Sequence, residues 1–222
     1  VTFAVERDIV LAAIRGAAGK AGMPWPPAHD RPVPLKDLIG AYPLTHDEVP
    51  GLTRAGAAAY LARWDIKRPD LWEDATPLAG FLFANAAGGY ILVRRDDPIP
   101  RRRFSAAHEF GHYLLHLPPH LGDDPLGHTI DDDEKDLPDA VLPAGQELSA
   151  MERQANLFAA ELLMPAEVCA RLVARYRRAG HTGFRYQVDQ LATDLLVSRE
   201  AARWRFVSLG LAPAGRSDVA AG

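Results

Sequence analysis

Arg103-Phe104-Ser105-Ala106-Ala107-His108-Glu109-Phe110-Gly111-His112 places two histidines four residues apart, with a glutamate directly after the first. Four residues is about one helical turn, so on a helix both imidazoles leave the same face and can reach one ion. This is the H-E-x-x-H pattern. Imidazole is a good zinc ligand, and a catalytic zinc site takes three protein ligands and keeps one position open for water. Glu109, beside the first histidine, is positioned to take a proton from that water as it attacks a carbonyl. Phe104, Ala106, Ala107, Phe110, Leu114 and Leu115 surround the pattern with apolar side chains, which predicts a buried helix over roughly 101–116. Buried histidines need partners. That requirement argues against the competing reading, in which so short a motif arises by chance on a solvated helix face.

Outward from this helix, His116 continues the four-residue series. Two turns separate it from His108 by about 12 Å, too far to share one ion held at about 2.1 Å. His116 is therefore read as a residue that ends the helix, supports a ligand or simply packs. His120 and His128 lie in an acidic stretch and read as solvent-exposed. The third ligand is sought on a second helix, Glu152-Arg153-Gln154-Ala155-Asn156-Leu157-Phe158-Ala159-Ala160-Glu161-Leu162-Leu163-Met164-Pro165. Glu152 and Asn156 share a face one turn apart. The carboxylate of Glu152 can complete the zinc shell, and the amide of Asn156 can hold the outer nitrogen of a ligand histidine. Ser149-Ala150-Met151-Glu152 also fits a capping box, in which Glu152 merely serves its own helix's first amides. Glu161 reads as a surface carboxylate or a buried ion-pair partner. Tyr113 is a candidate oxyanion stabiliser.

The rest of the chain supplies the frame. Helices are expected over 6–21, over 35–39, from a Thr53 cap to Trp64, over 149–163 and from Pro165 to Arg178. The Pro-rich stretch 23–34 reads as non-helical. Two apolar runs, 80–85 and 90–95, flank Ala-Ala-Gly-Gly and read as a β-hairpin. Residues 118–145, rich in Pro, Gly and Asp, read as a long mobile loop beside the cleft. Phe184 to Leu209 reads as two helices broken at Val197-Ser198, and 212–222 as a frayed tail. The expected organisation is α+β: a metallopeptidase domain over 1–165 and a small helical module over 166–211. The chain has 222 residues, is 48% hydrophobic and carries a formal net charge of -4, which does not suit a chain built mainly to coat nucleic acid. Its single cysteine, Cys169, excludes an internal disulfide. Neither a signal peptide nor a membrane-spanning run is seen, and the cytoplasm is the expected compartment.

Arg103 to His116 resembles the core of the ImmA/IrrE family of metallopeptidases, and Glu152 to Pro165 resembles that family's E-x-x-A-N-x-F-A-x-x-L-L-M-P segment. Tyr90-Ile91-Leu92-Val93 with the arginine run that follows also fits. The resemblance covers roughly Gly80 to Leu211, apart from the acidic stretch. It implies a zincin-like fold, with His108, His112 and Glu152 holding Zn2+ and Glu109 as the base. It further implies XRE-type helix-turn-helix repressors as substrates, cut to release stress, phage or mobile-element genes. The acidic insertion between the two blocks departs from the family, and the chain as given stops soon after the C-terminal helices, without the sensor domain of some longer relatives.

Leu191 to Phe206 resembles a helix-turn-helix in which Ser198 caps the second helix and Arg199, Arg203 and Arg205 are available for phosphates or bases. Docking of a repressor substrate or support of the fold are the alternatives to DNA binding, and are favoured over it. A rival reading of the whole chain is a non-catalytic, zinc-containing regulator that binds DNA or protein through these helices. Retention of Glu109 argues against it, because a structural zinc site needs no base. The peptidase half of a toxin–antitoxin or phage-immunity pair would use the same chemistry in another context.

Overall fold

A computed structural model of the chain describes residues 3–85, 87–117, 128–133 and 149–212. Among these residues the architecture is α+β. Its elements run α1 (Phe3–Lys20), α2 (Leu35–Gly40), β1 (Leu44–Val49), α3 (Arg54–Ala62), a single 3-10 turn (Pro69–Leu71), β2 (Leu78–Asn85), β3 (Gly88–Arg94), α4 (Ile99–Leu115), β4 (His128–Asp133), α5 (Ala150–Leu163), α6 (Ala166–Arg178), α7 (Phe184–Leu195) and α8 (Arg199–Ser208). The four strands form one sheet in the order β1-β3-β2-β4. β2 and β3 make the expected antiparallel hairpin, β1 runs parallel to β3, and β4 runs antiparallel to β2.

The sheet is covered on both faces, and strand alternation divides its side chains between two clusters. Leu82, Ile91 and Val93 join the larger core, which also takes Val10 and Ile14 from α1, Phe110 from α4, Phe158 and Leu162 from α5, Leu172 from α6, Leu191 from α7 and Phe206 from α8. Their neighbours Phe81, Phe83 and Leu92 point the other way and pack with Leu52, Tyr60 and Leu61 around α3. Burial on both faces explains why β2 reads as a nearly continuous apolar run. Each such fully buried Leu or Phe contributes about 1.5–3 kcal/mol relative to exposure.

Local signals place the helices well. Thr53 caps α3, accepting from Gly56 N–H at 3.0 Å. Ser149 and Ser198 cap α5 and α8 in the same way, each at 3.1 Å. Pro100 sits in the first turn of α4 and Pro165 immediately precedes α6, where proline's missing N–H costs nothing.

Two readings from sequence are corrected, and one strand is added to them. The acidic stretch is not loop throughout: His128–Asp133 is strand β4, with Ile130 paired to Leu82 and Asp131 to Phe81. All the rest of 118–145, including His120, lies outside the described residues, as does the tail beyond 212. β1 was not anticipated, because Leu44-Thr45-His46-Asp47-Glu48-Val49 has weak alternation. It sits at the sheet edge, where polar side chains are tolerated. Arg205 is not available to nucleic acid. It is buried, its guanidinium reaching Glu161 at 2.5 and 3.1 Å and donating to the Met164 carbonyl at 2.9 Å. Arg199 is exposed and pairs with Asp189 at 2.6 Å.

Candidate metal centre

α4 lies across the sheet with Ser105 to His112 continuously buried, so both motif histidines are inside the protein. Two glycines set how closely its neighbours approach. A Cβ on Gly111 would stand 3.0 Å from the Phe158 ring, so the bare backbone there lets α5 pack tightly on α4. The Phe110 and Phe158 rings meet edge to face at 5.9 Å in the same contact. A Cβ on Gly80 of β2 would stand 2.6 Å from Glu109 Oε1, so that glycine makes the space for the fully buried Glu109 side chain.

This packing brings His108, His112 and Glu152 together, each offering one ligand atom within 4.8 Å of the others. The two Nε2 atoms stand 2.9 Å apart. Glu152 Oε2 is 3.2 Å from His108 Nε2, and Oε1 is 3.3 Å from His112 Nε2. The capping-box alternative is half right. Ser149 does accept from the Glu152 amide, but the Glu152 carboxylate turns to the histidines.

The surrounding hydrogen bonds assign the tautomers. Asn156 Oδ1 accepts from His108 Nδ1 at 2.9 Å. Gln154 Oε1 accepts from His116 Nε2 at 3.1 Å, which leaves His116 Nδ1 to accept from His112 Nδ1 at 2.9 Å. Both motif histidines are thereby left with the Nε2 lone pair directed at the same point. Two imidazole lone pairs and a carboxylate converge where only a cation satisfies all three. Around an ion at 2.0–2.1 Å in tetrahedral geometry, neighbouring ligand atoms lie about 3.4 Å apart, so the observed spacing needs only a small expansion. The donor set therefore fits a divalent metal ion.

The electrostatics agree. Burial works to raise the Glu152 carboxyl, but the adjoining His108 and His112 imidazoles outweigh it and hold the group well below the usual carboxylate range. Burial pushes both His112 and His116 below the ordinary imidazole value, which favours their neutral forms. Glu152 is 28% exposed whereas His112 is fully buried, so the cluster meets solvent on the α5 side.

The chain matches the model of the peptidase M78 family, described as the IrrE N-terminal-like domain, over residues 66–119 and 126–206. It belongs to this family. The match covers more than half of the 222 residues and includes both helices that carry the His108, His112 and Glu152 cluster. No curated protein matches the chain.

Glu161 of this peptidase-family chain is the buried ion-pair partner that its sequence context allowed, bound by Arg205 and by Arg7 at 2.7 Å. The Tyr113 side chain packs against Tyr42, the two rings edge-on at 5.8 Å. Gln154 and Gly80 were missed. The signal for Gly80 was available, since a glycine inside a strand marks a close approach by another group. Nothing in the sequence marks Gln154 as the partner of a histidine on another helix.

Proposed function

We propose that the chain is a zinc-dependent endopeptidase with a zincin-like core, acting on an XRE-type helix-turn-helix repressor in a stress, phage or mobile-element switch. The observation that carries this reading is the convergence of the two Nε2 lone pairs and the Glu152 carboxylate, beside a buried glutamate, in a chain of a peptidase family. His108, His112 and Glu152 hold the ion, and imidazole with carboxylate is a donor set that zinc favours. Bound zinc supplies Lewis-acid polarisation and activation of water at neutral pH.

The chain's own residues do the rest. Asn156 and the Gln154–His116 pair keep the ligand imidazoles in the required tautomer. Glu109 takes a proton from the attacking water and hands it to the leaving amine as the peptide bond breaks. Gly80, lacking a side chain, leaves the room that the Glu109 carboxylate occupies. The α7–α8 pair serves substrate docking and fold support rather than DNA reading, which the burial of Arg205 favours. The cytoplasm is the proposed compartment, in keeping with a single cysteine whose thiol burial pushes up to about 11.

The test is incubation of zinc-loaded protein with a co-encoded helix-turn-helix repressor, followed for fragments. Glu109→Gln keeps size and hydrogen bonding but removes the base. It is expected to retain zinc and to lose cleavage by about 10²-fold or more. Equal cleavage by wild type and variant would sink the mechanism. Binding of the repressor without cleavage by either would favour the regulator reading.

A further inference from the structure

A second polar cavity lies on α4 away from the metal ligands. It has a volume of about 250 Å³ and is bounded by the start of α2, the edge strand β1 and the first turns of α4. Three residues of its lining carry four buried nitrogens: His46 Nδ1, His46 Nε2, Arg102 Nε and Arg103 Nε. Among the described residues none of the four has a hydrogen-bonding partner. Buried polar groups are nearly always satisfied, and each one left alone costs about 1–3 kcal/mol.

The mismatch has a definite sign. The arginine Nε atoms are donors only, and a neutral imidazole adds one donor and one acceptor. Burial and the Lys36 charge outweigh Glu48 and Asp47 and keep His46 below its ordinary value, hence neutral near pH 7. The Glu48 carboxylate is already bound to the terminal nitrogen of Arg102. Arg103 gives one terminal nitrogen to the Val33 carbonyl at 3.0 Å and has no carboxylate partner among the described residues. Burial pushes its pKa below the usual arginine value, with no acidic group offsetting the shift. The positive end of α4 adds to this field, since Ile99, its first residue, also lines the cavity. Lys36 and Asp37, of opposite charge and both exposed, also line the cavity and offset each other.

We propose that this cavity is a binding site for a small oxyanion, a carboxylate or a phosphate group, whose oxygens accept from Arg102, Arg103 and His46. Its volume suits a single such group or a short acid and falls below the range of pockets for larger ligands. Arg103 and His108 are five residues apart on α4, about 8 Å along the helix axis, so the site is separate from the metal centre. The proposal does not rest on peptidase activity.

The test uses the full-length, zinc-loaded protein and nitrogen-detected NMR of imidazole and arginine Nε–H groups. It is titrated with inorganic phosphate and, separately, with acetate, each against chloride at matched ionic strength. Saturable shifts at His46 and Arg103 are expected from at least one anion. Phosphate alone would identify a phosphate ligand, acetate alone a carboxylate ligand, and both a general oxyanion site. His108 and His112 signals report separately on any anion that binds at zinc. Arg103→Gln should weaken binding about tenfold, whereas Arg178→Gln, at an exposed position on α6, should not. His46→Gln serves as a second cavity variant should Arg103→Gln fail to fold. Shifts that stay linear with both anions, or binding that survives both cavity variants unchanged, would overturn the proposal and leave a cavity filled by water.

Discussion

Glu152 and Glu161 sit on the same helix, nine residues apart, and meet opposite surroundings. Glu161 faces two cations: Arg205, itself buried, and Arg7. Burial alone would raise its pKa, but the two guanidinium groups overcome this and lower it. Its charge is balanced within the protein, and the pair ties α5 to α8 and α1. Glu152 faces two imidazoles whose outer nitrogens are engaged with Asn156 and His116 and whose inner nitrogens carry lone pairs. Neutral donors do not balance a carboxylate. A buried acid beside arginines is therefore a structural pair, whereas a half-exposed acid beside oriented neutral imidazoles leaves a charge that a cation could balance.

The largest effects should separate the two glutamates. Glu161→Ala leaves Arg205 buried without its counter-charge and should lower unfolding stability by about 3–5 kcal/mol, measured by chemical denaturation of the metal-free protein. Glu152→Gln should cost less than about 1 kcal/mol in that assay, since exposed and half-exposed polar changes are usually small, yet abolish stoichiometric zinc in metal analysis. Equal destabilisation by both substitutions would show that Glu152 is structural too.

A smaller effect should come from the relay behind His112. His116→Ala or Gln154→Ala removes the group that fixes the tautomer and should weaken zinc binding by about 10–100-fold, read by competition with a chelator. Fold and thermal stability should change little. If zinc affinity is unmoved, the His116 contact is only packing.

The smallest effect is in the pH dependence. The folded pKa of Glu161 lies below its ordinary value of 4.5. Its contribution is therefore complete above about pH 4.5 and is lost as pH falls through the folded pKa, where the unfolded chain binds more protons. In the metal-free protein, Glu161→Gln should flatten this part of the acid-side decline. A decline as steep as in wild type would mean that other carboxylates dominate acid unfolding.

By itself the sequence determined the helices and singled out the His108 and His112 pair that could hold a metal. His108, Glu109 and His112 were legible because a helical period of 3.6 turns a spacing of four into a shared face, and apolar flanks show that this face is buried. The caps at Thr53, Ser149 and Ser198 were legible because they act within one turn of chain. What needed the tertiary structure were relations between segments far apart in the chain. The choice between cap and ligand for Glu152 depended on where α5 docks, which a missing side chain at Gly111 permits. The burial of Arg205 depended on Glu161, 44 residues earlier. Strand β4 was hidden because edge pairing is made by backbone groups that Asp131, Asp132 and Asp133 carry as well as any apolar residue. Local periodicity is written in composition, but a contact between distant segments depends on which surfaces remain after every element has packed.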